Sequence, residues 1–169
     1  MPEAIQTYVR VVDRFNLRVG RVVMYGIFVM MGIMLYSVVS KSMRLPANWT
    51  LETAQFVMAG YYLLGGAYSL QLDSHVRMDL VYGKWSPRTK AAVDVVTILM
   101  LFVYLFFLLY GGVSSTAYAL KFGETSYSSW APYMAPIKIV MVIGIALTFL
   151  QATSIFIKDL AVAIGRPLA

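Results

Sequence analysis

The most regular feature of the sequence is a series of four long stretches without charged residues, each bounded by charged side chains. These stretches cover residues 22–40, 53–72, 95–120 and 139–157. Because a helix rises about 1.5 Å per residue, about 20 mostly apolar residues cross the ~30 Å hydrocarbon core of a bilayer. With their polar ends included, the stretches predict four transmembrane helices over about residues 22–40, 50–72, 91–120 and 136–157.

The segment before the first span has a different pattern, with apolar and polar residues on opposite sides of a helix. The apolar side consists of Ile5, Tyr8, Val9, Val12, Phe15 and Val19, and the polar side consists of Gln6, Arg10, Asp13, Arg14, Arg18 and Arg21. This pattern predicts an amphipathic helix over about residues 3–20 that lies in the membrane surface, with its cations toward lipid phosphates. An ordinary basic tail is the alternative interpretation.

The distribution of Lys and Arg predicts the orientation in the membrane. The N-terminal segment, the second loop and the C-terminal segment contain ten of the 14 Lys and Arg residues, and the first and third loops contain four. Since basic residues are enriched in cytoplasmic loops, both termini are expected in the cytoplasm. No repeat or soluble domain interrupts the pattern, so residues 1–169 are predicted to form a single all-α integral membrane domain.

Composition mainly excludes kinds of chemistry. Hydrophobic residues make up 60% of the chain and charged residues 13%, whereas about a quarter of a soluble domain is charged. The net charge of +6 does not indicate nucleic acid, because the basic residues flank the spans and form no stripe of their own. With no cysteine and one histidine, the chain cannot form a disulfide, a thiolate metal site or a bis-histidine haem site. No cofactor is expected.

The predicted spans lack the groups that membrane transport sites usually contain. Ionisable groups at mid-membrane depth cost about 2.5–3.5 kcal/mol each and are kept for function, but the span interiors contain none and no proline interrupts them. The spans do contain small residues that let helices pack closely. These are Gly144, Thr148 and Ala152 at four-residue spacing, and the pairs Gly65-Gly66 and Gly111-Gly112. The pattern predicts packing surfaces, with no catalytic, substrate-binding or metal site.

Polar residues cluster at the start of the second span. Asn48 or Thr50 is expected to cap the helix, and Glu52 falls in the first turn, where the helix dipole favours an anion. Lys41 or Arg44 is expected to pair with Glu52 across the bend. A well-capped helix and a contact point for an external partner both account for this cluster.

The second loop contains the only histidine, His75, followed by Arg77 and Asp79. One histidine and nearby carboxylates are a weak indication of a metal site, because solvated charge pairs give the same pattern. A short interfacial helix held by Asp–Arg and Asp–His pairs is favoured, with Arg77 and Asp79 as a structural pair. Farther along, Pro132 and Pro136 are expected at the beginning of the fourth helix, where a missing N–H costs little.

In their order along four spans, these features resemble the small membrane subunit of the tripartite ATP-independent periplasmic (TRAP) transporters, the DctQ-type family. The resemblance extends over nearly the whole chain. Its most specific points are Trp49-x-x-Glu52, Gly65-Gly66-Ala67, His75-x-Arg77-x-Asp79 and Pro132.

The resemblance implies a subunit of the bacterial inner membrane in a sodium-driven, binding-protein-dependent importer of an organic anion, often a carboxylate. It implies two protein partners besides membrane lipids: a large membrane subunit with the substrate and sodium sites, and a periplasmic substrate-binding protein. The small subunit is expected to anchor the large one and not to be an enzyme. Its outer loops are expected to face the docked binding protein through Arg44, Glu52, Lys121 and Glu124.

Three other functions compete with this interpretation. An autonomous four-helix transporter would need a membrane-embedded acidic residue, and a membrane enzyme would need a stronger cluster than the one around His75. A structural membrane protein that forms homo-oligomers is compatible with the sequence. Co-purification with a transporter would separate it from the accessory-subunit interpretation.

Overall fold

The computed structural model describes residues 3–45, 47–72 and 87–163, and these residues form an all-α fold. The five helices are α1 (Glu3–Val23), α2 (Gly26–Ser42), α3 (Trp49–Gln71), α4 (Pro87–Phe122) and α5 (Ala135–Ala163). The described ranges contain no named strand, and their one β-bridge joins Thr125 to Tyr133. The predicted all-α class is therefore confirmed.

Three stretches of the described chain are long and apolar enough to cross a membrane, judged by length and composition. They are Ile5–Ser42, Val96–Phe122 and Ala135–Val162, and they overlap the first, third and fourth predicted spans. The second predicted span is the 23-residue helix α3, but α3 is not among the three. Its composition explains why, because Gln55 and several tyrosines interrupt its apolar run. The crossing of α3 stays a prediction.

Helices α1 and α2 follow each other with only two residues between them. The N–H of Met24 donates to the carbonyl of Gly20 at 2.9 Å, and the N–H of Tyr25 donates to the carbonyl of Val22 at 3.2 Å. The backbone therefore stays close to helical through the junction. The segment predicted as an interfacial helix is joined to the first span without a loop.

Helix α5 is the centre of the bundle, since it packs against α1, α3 and α4. Leu105 of α4 and Ile145 and Ala152 of α5 form the buried core cluster. Gly112, Thr116 and Ala119 continue the buried side of α4 toward its C-terminal end. Because α4 has 36 residues, it is about 54 Å long and exceeds the bilayer core.

The predicted small-residue stripe of α5 packs against α3 of the same chain. A Cβ added to Gly144 would lie 2.7 Å from the backbone C and O atoms of Leu63, and a Cβ on Gly66 would lie 3.3 Å from Thr148 Oγ1. Ala152 is fully buried. The two helices therefore approach closely because these positions carry almost no side chain.

Each glycine pair has one member inside the bundle and one outside it. Gly66 and Gly112 face α5, whereas a Cβ on Gly65 or Gly111 would meet no atom within 4 Å. The prediction of close packing is thus confirmed for one residue of each pair. Gly65 lines an open groove between α1 and α3, together with Gly20, Tyr62 and other residues.

Candidate functional sites at the two ends of the bundle

A polar cluster joins α1 to the C-terminal half of α5. Asp13 Oδ1 accepts hydrogen bonds from Gln151 Nε2 and Ser154 Oγ, both at 2.9 Å. Asp13 Oδ2 forms an ion pair with Lys158 Nζ. Gln151 Oε1 in turn accepts a bond of 2.7 Å from Asn16 Nδ2. We call this set, with Gln71, the Asp13 cluster.

The Asp13 cluster also reaches α3, because Gln71 Nε2 donates to the backbone carbonyl of Asp13 at 3.2 Å. Gln151 and Ser154 are fully buried and Asn16 is 2% exposed. Two buried acceptors, Asn16 Oδ1 and Gln71 Oε1, have no hydrogen-bond partner in the described structure. A buried polar group without a hydrogen-bond partner lowers the stability of the fold. The network therefore fixes α1 against α3 and α5, but its two unpaired acceptors reduce the stability that it contributes.

The position of Asp13 corrects the prediction for the N-terminal helix. Asp13 was expected on the outward polar side with the arginines, but its carboxylate faces α5, where Lys158 and two neutral donors satisfy it. The protein-facing stripe of α1 consists of Val9, Val12, Asn16 and Gly20. Phe15, predicted on the same apolar side as Val9 and Val12, does not share their packed stripe and is 55% exposed. Helical spacing alone could not show that Asp13 pairs with Lys158, because Lys158 lies 145 residues away in sequence.

A second polar cluster lies at the opposite ends of α3 and α5, and we call it the Glu52 cluster. Glu52 Oε1 accepts a hydrogen bond of 2.6 Å from Ser126 Oγ, and Glu124 forms an ion pair with Lys138. The predicted pairing of Glu52 with Lys41 or Arg44 is wrong within the described structure. The loop after α4 folds over the start of α3 and supplies Ser126 instead. Glu52 Oε2 is buried and has no partner there.

The predicted helix cap also has a different form. Asn48 has helical backbone angles and makes no side-chain cap bond. Thr50 Oγ1 lies 3.0 Å from Ser37 Oγ and donates to the carbonyl of Ala47 at 2.8 Å. Thr50 is fully buried, so its hydroxyl joins α2 to α3. Trp49, the neighbouring predicted site residue, contacts Tyr36 with ring centroids 5.5 Å apart.

The loop between α4 and α5 has a defined backbone fold. The N–H of Ser126 donates to the carbonyl of Pro132 at 3.0 Å, and the N–H of Met134 donates to the carbonyl of Glu124 at 2.9 Å. Pro132 therefore lies inside this loop, because its carbonyl accepts the hydrogen bond that closes the loop. The prediction that Pro132 lies at the beginning of the fourth spanning helix is wrong, since that helix is α5, which begins at Ala135. Pro136 does lie in the first turn of α5.

The remaining predicted site residues, His75, Arg77 and Asp79, lie outside the described residues. Their proposed pairing and the rejected metal site stay predictions. Arg44 is exposed and has a φ of 58°. Among the residues that the structure describes, no group of three or more His, Asp and Glu side chains is placed to hold a metal.

Sequence reasoning missed the Asp13 cluster, although the sequence does contain a signal for it. Gln151 and Ser154 interrupt the apolar fourth span with polar groups at i and i+3. Asp13 and Asn16 have the same spacing on α1. Polar side chains on one face of a membrane helix usually find partners across a helix interface, which is what these four residues do.

The fold and both clusters define a multi-pass α-helical membrane protein whose two polar clusters join elements of its own chain. The model of the DctQ family, the DctQ component of tripartite ATP-independent periplasmic transporters, matches residues 30–162. The chain therefore belongs to the DctQ family and is the small membrane component of a TRAP transporter. This family is a transporter component and not an enzyme family. Comparison with curated proteins gave no match.

Proposed function

We propose that this chain is the accessory subunit that anchors the large membrane subunit of a sodium-driven TRAP transporter in the bacterial inner membrane. The transporter imports an organic anion of the carboxylate class with a periplasmic substrate-binding protein. The observation that carries the proposal is the family match over residues 30–162. The binding residues for substrate and sodium then lie on the large subunit.

The distribution of polar groups supports an anchoring role. The Asp13 and Glu52 clusters hold this chain's own helices together, and the membrane-facing surface between them is apolar. On α4, Met100, Phe107 and Tyr110 are between 68% and 73% exposed. Such a surface is suited to lipid and to the apolar helices of a large subunit, and it contains no charged group along residues 95–120.

The proposed topology has four spans, with α3 as the second, and both termini in the cytoplasm. The Asp13 cluster then lies at the cytoplasmic side and the Glu52 cluster at the periplasmic side. The loop after α4, together with the exposed cations Arg44 and Lys121, faces the docked binding protein. The hydrogen bond of Glu52 with Ser126 and the ion pair of Glu124 with Lys138 hold this loop against α3 and α5.

Single cysteines test this topology directly, because the chain has no cysteine of its own. We expect Ser129→Cys, in the outer loop, to react with a membrane-impermeant maleimide on spheroplasts, and saturating binding protein to slow the reaction. Glu3→Cys should react only after permeabilisation. Both positions are exposed. The reverse labelling pattern would contradict the orientation, and unchanged labelling of Ser129→Cys with binding protein would contradict the docking surface.

A further inference from the structure

The outward face of α1 carries a cationic groove of about 370 Å³. Its lining residues are Thr7, Arg10, Val11, Arg14, Phe15 and Arg18. All six are exposed and lie opposite the stripe of α1 that packs against α3 and α5. The family match begins at residue 30, so the matched region does not include this groove.

Two parallel rows of side chains make up this face. Arg10, Arg14 and Arg18 follow each other at four-residue spacing, so their attachment points are about 6 Å apart along the helix. Beside them, Val11, Phe15 and Val22 form an apolar row and are 61%, 55% and 74% exposed. A helix whose outer side is divided in this way fits the boundary between lipid headgroups and acyl chains.

Among the described residues, no acidic side chain neutralises the cations of this face. Asp13, the acidic residue nearest to them in sequence, points the other way and pairs with Lys158. Within the described structure Arg14 and Arg18 form no ion pair, and Arg10 Nε donates only to the backbone carbonyl of Gln6, at 3.4 Å. Three guanidinium groups are therefore available to an external anion.

We propose that this face of α1 is a binding surface for anionic phospholipids. The arginines contact the phosphate oxygens of the headgroups, since a planar guanidinium binds phosphate with two parallel hydrogen bonds. Val11 and Phe15 insert at the top of the acyl chains. Basic residues next to a membrane favour anionic lipids in this way, and because the Asp13 carboxylate faces α5, no acidic residue lies between the three arginines on this face. The proposal requires only that the chain resides in a membrane, so it stands or falls independently of the transported substrate.

Lipid titration of the purified protein in a neutral detergent tests the proposal. Dioctanoyl phosphatidylglycerol and dioctanoyl phosphatidylcholine are titrated separately, inorganic phosphate is then added as a competitor, and bound lipid is counted by native mass spectrometry. We expect phosphatidylglycerol to bind at least about tenfold more tightly than phosphatidylcholine. The triple variant R10Q/R14Q/R18Q should lose this preference, because each arginine near an anionic headgroup contributes several-fold in affinity.

The matched control is K41Q/R44Q/K121Q, which removes three exposed cations from the other end of the molecule. Glutamine keeps the helix propensity of arginine, and a single symmetric peak in size-exclusion chromatography confirms that each variant folds. The control should bind phosphatidylglycerol as the unchanged protein does. Equal binding of both lipids, an unchanged preference in the arginine variant, an equal loss in the control, or inorganic phosphate that displaces the lipid at equal concentration would each overturn the proposal.

Discussion

Replacing Gln151 with leucine is expected to lower the stability of the purified protein by about 2–4 kcal/mol, with α1 detached from the bundle. Gln151 is fully buried and bridges Asp13 and Asn16 through its amide nitrogen and oxygen. Leucine fills a similar volume, but it leaves the buried Asn16 and the half-buried Asp13 with one partner fewer each. Each such loss costs about 1–3 kcal/mol. The melting temperature in detergent and the protease sensitivity of the N-terminal segment measure the effect.

A double variant separates lost hydrogen bonding from altered packing. In Asn16→Leu/Gln151→Leu both members of the 2.7 Å bond become apolar, and the unpaired Asn16 Oδ1 is removed as well. Because replacing both partners is nearly neutral, the double variant should recover part of the stability lost by Gln151→Leu alone. Additive destabilisation in the double variant would show that the bond does not hold α1 to α5.

Replacing Gly144 with alanine should separate α3 from α5 and destabilise the protein by about 1–3 kcal/mol, as overpacking usually does. The added Cβ would lie 2.7 Å from the backbone C and O atoms of Leu63. Backbone atoms cannot move aside as the end of a flexible side chain can, so one whole helix has to shift. Thermal unfolding followed by size-exclusion chromatography measures the loss of folded protein.

Gly111→Ala is the matched control for this substitution. A Cβ at Gly111 meets no atom within 4 Å, although the residue lies in α4, the other long helix packed against α5, beside Gly112, which faces α5. Its melting temperature should stay close to that of the unchanged protein, since exposed substitutions usually change stability by less than about 0.5 kcal/mol. Equal melting temperatures for both variants would mean that α3 and α5 are not closely packed at Gly144.

The helices themselves could be predicted from the sequence because the physical requirement is local. A run of about 20 residues without charge has few alternatives to a helix in a bilayer, where backbone groups must be paired internally. Proline placement was less reliable. Pro136 lies in the first turn of α5, but Pro132 closes the preceding loop through its carbonyl. Whether a proline begins the helix or belongs to the loop before it depends on the path of that loop.

Partners across the bundle could not be predicted, because helical spacing defines a face without naming the neighbour. Glu52 was matched with nearby cations, yet its hydrogen bond comes from Ser126, 74 residues later. Asp13 was grouped with arginines of its own helix, yet its ion pair is with Lys158. In both cases the deciding contact depends on the arrangement of α5 and the loop before it.

The prediction for α1 shows how a two-sided pattern gives an incomplete geometry. Two sides were predicted for α1, one apolar and one polar, whereas the structure has three: a packed stripe, a cationic row and an exposed apolar row. A helix that packs against a bundle on one side, and that we propose lies in a membrane surface on the other, has two apolar environments. Phe15 belongs to the second of them, and the sequence alone does not divide apolar residues between the two.

Co-purification is the most direct test of the accessory-subunit role. The tagged chain would be isolated from its native membrane in a mild detergent, and its partners identified by mass spectrometry. The account predicts a large polytopic membrane protein in a fixed ratio to this chain, and loss of substrate uptake when the chain is absent. A homo-oligomer that transports on its own in liposomes would contradict the account and place the transport site between this chain's own helices.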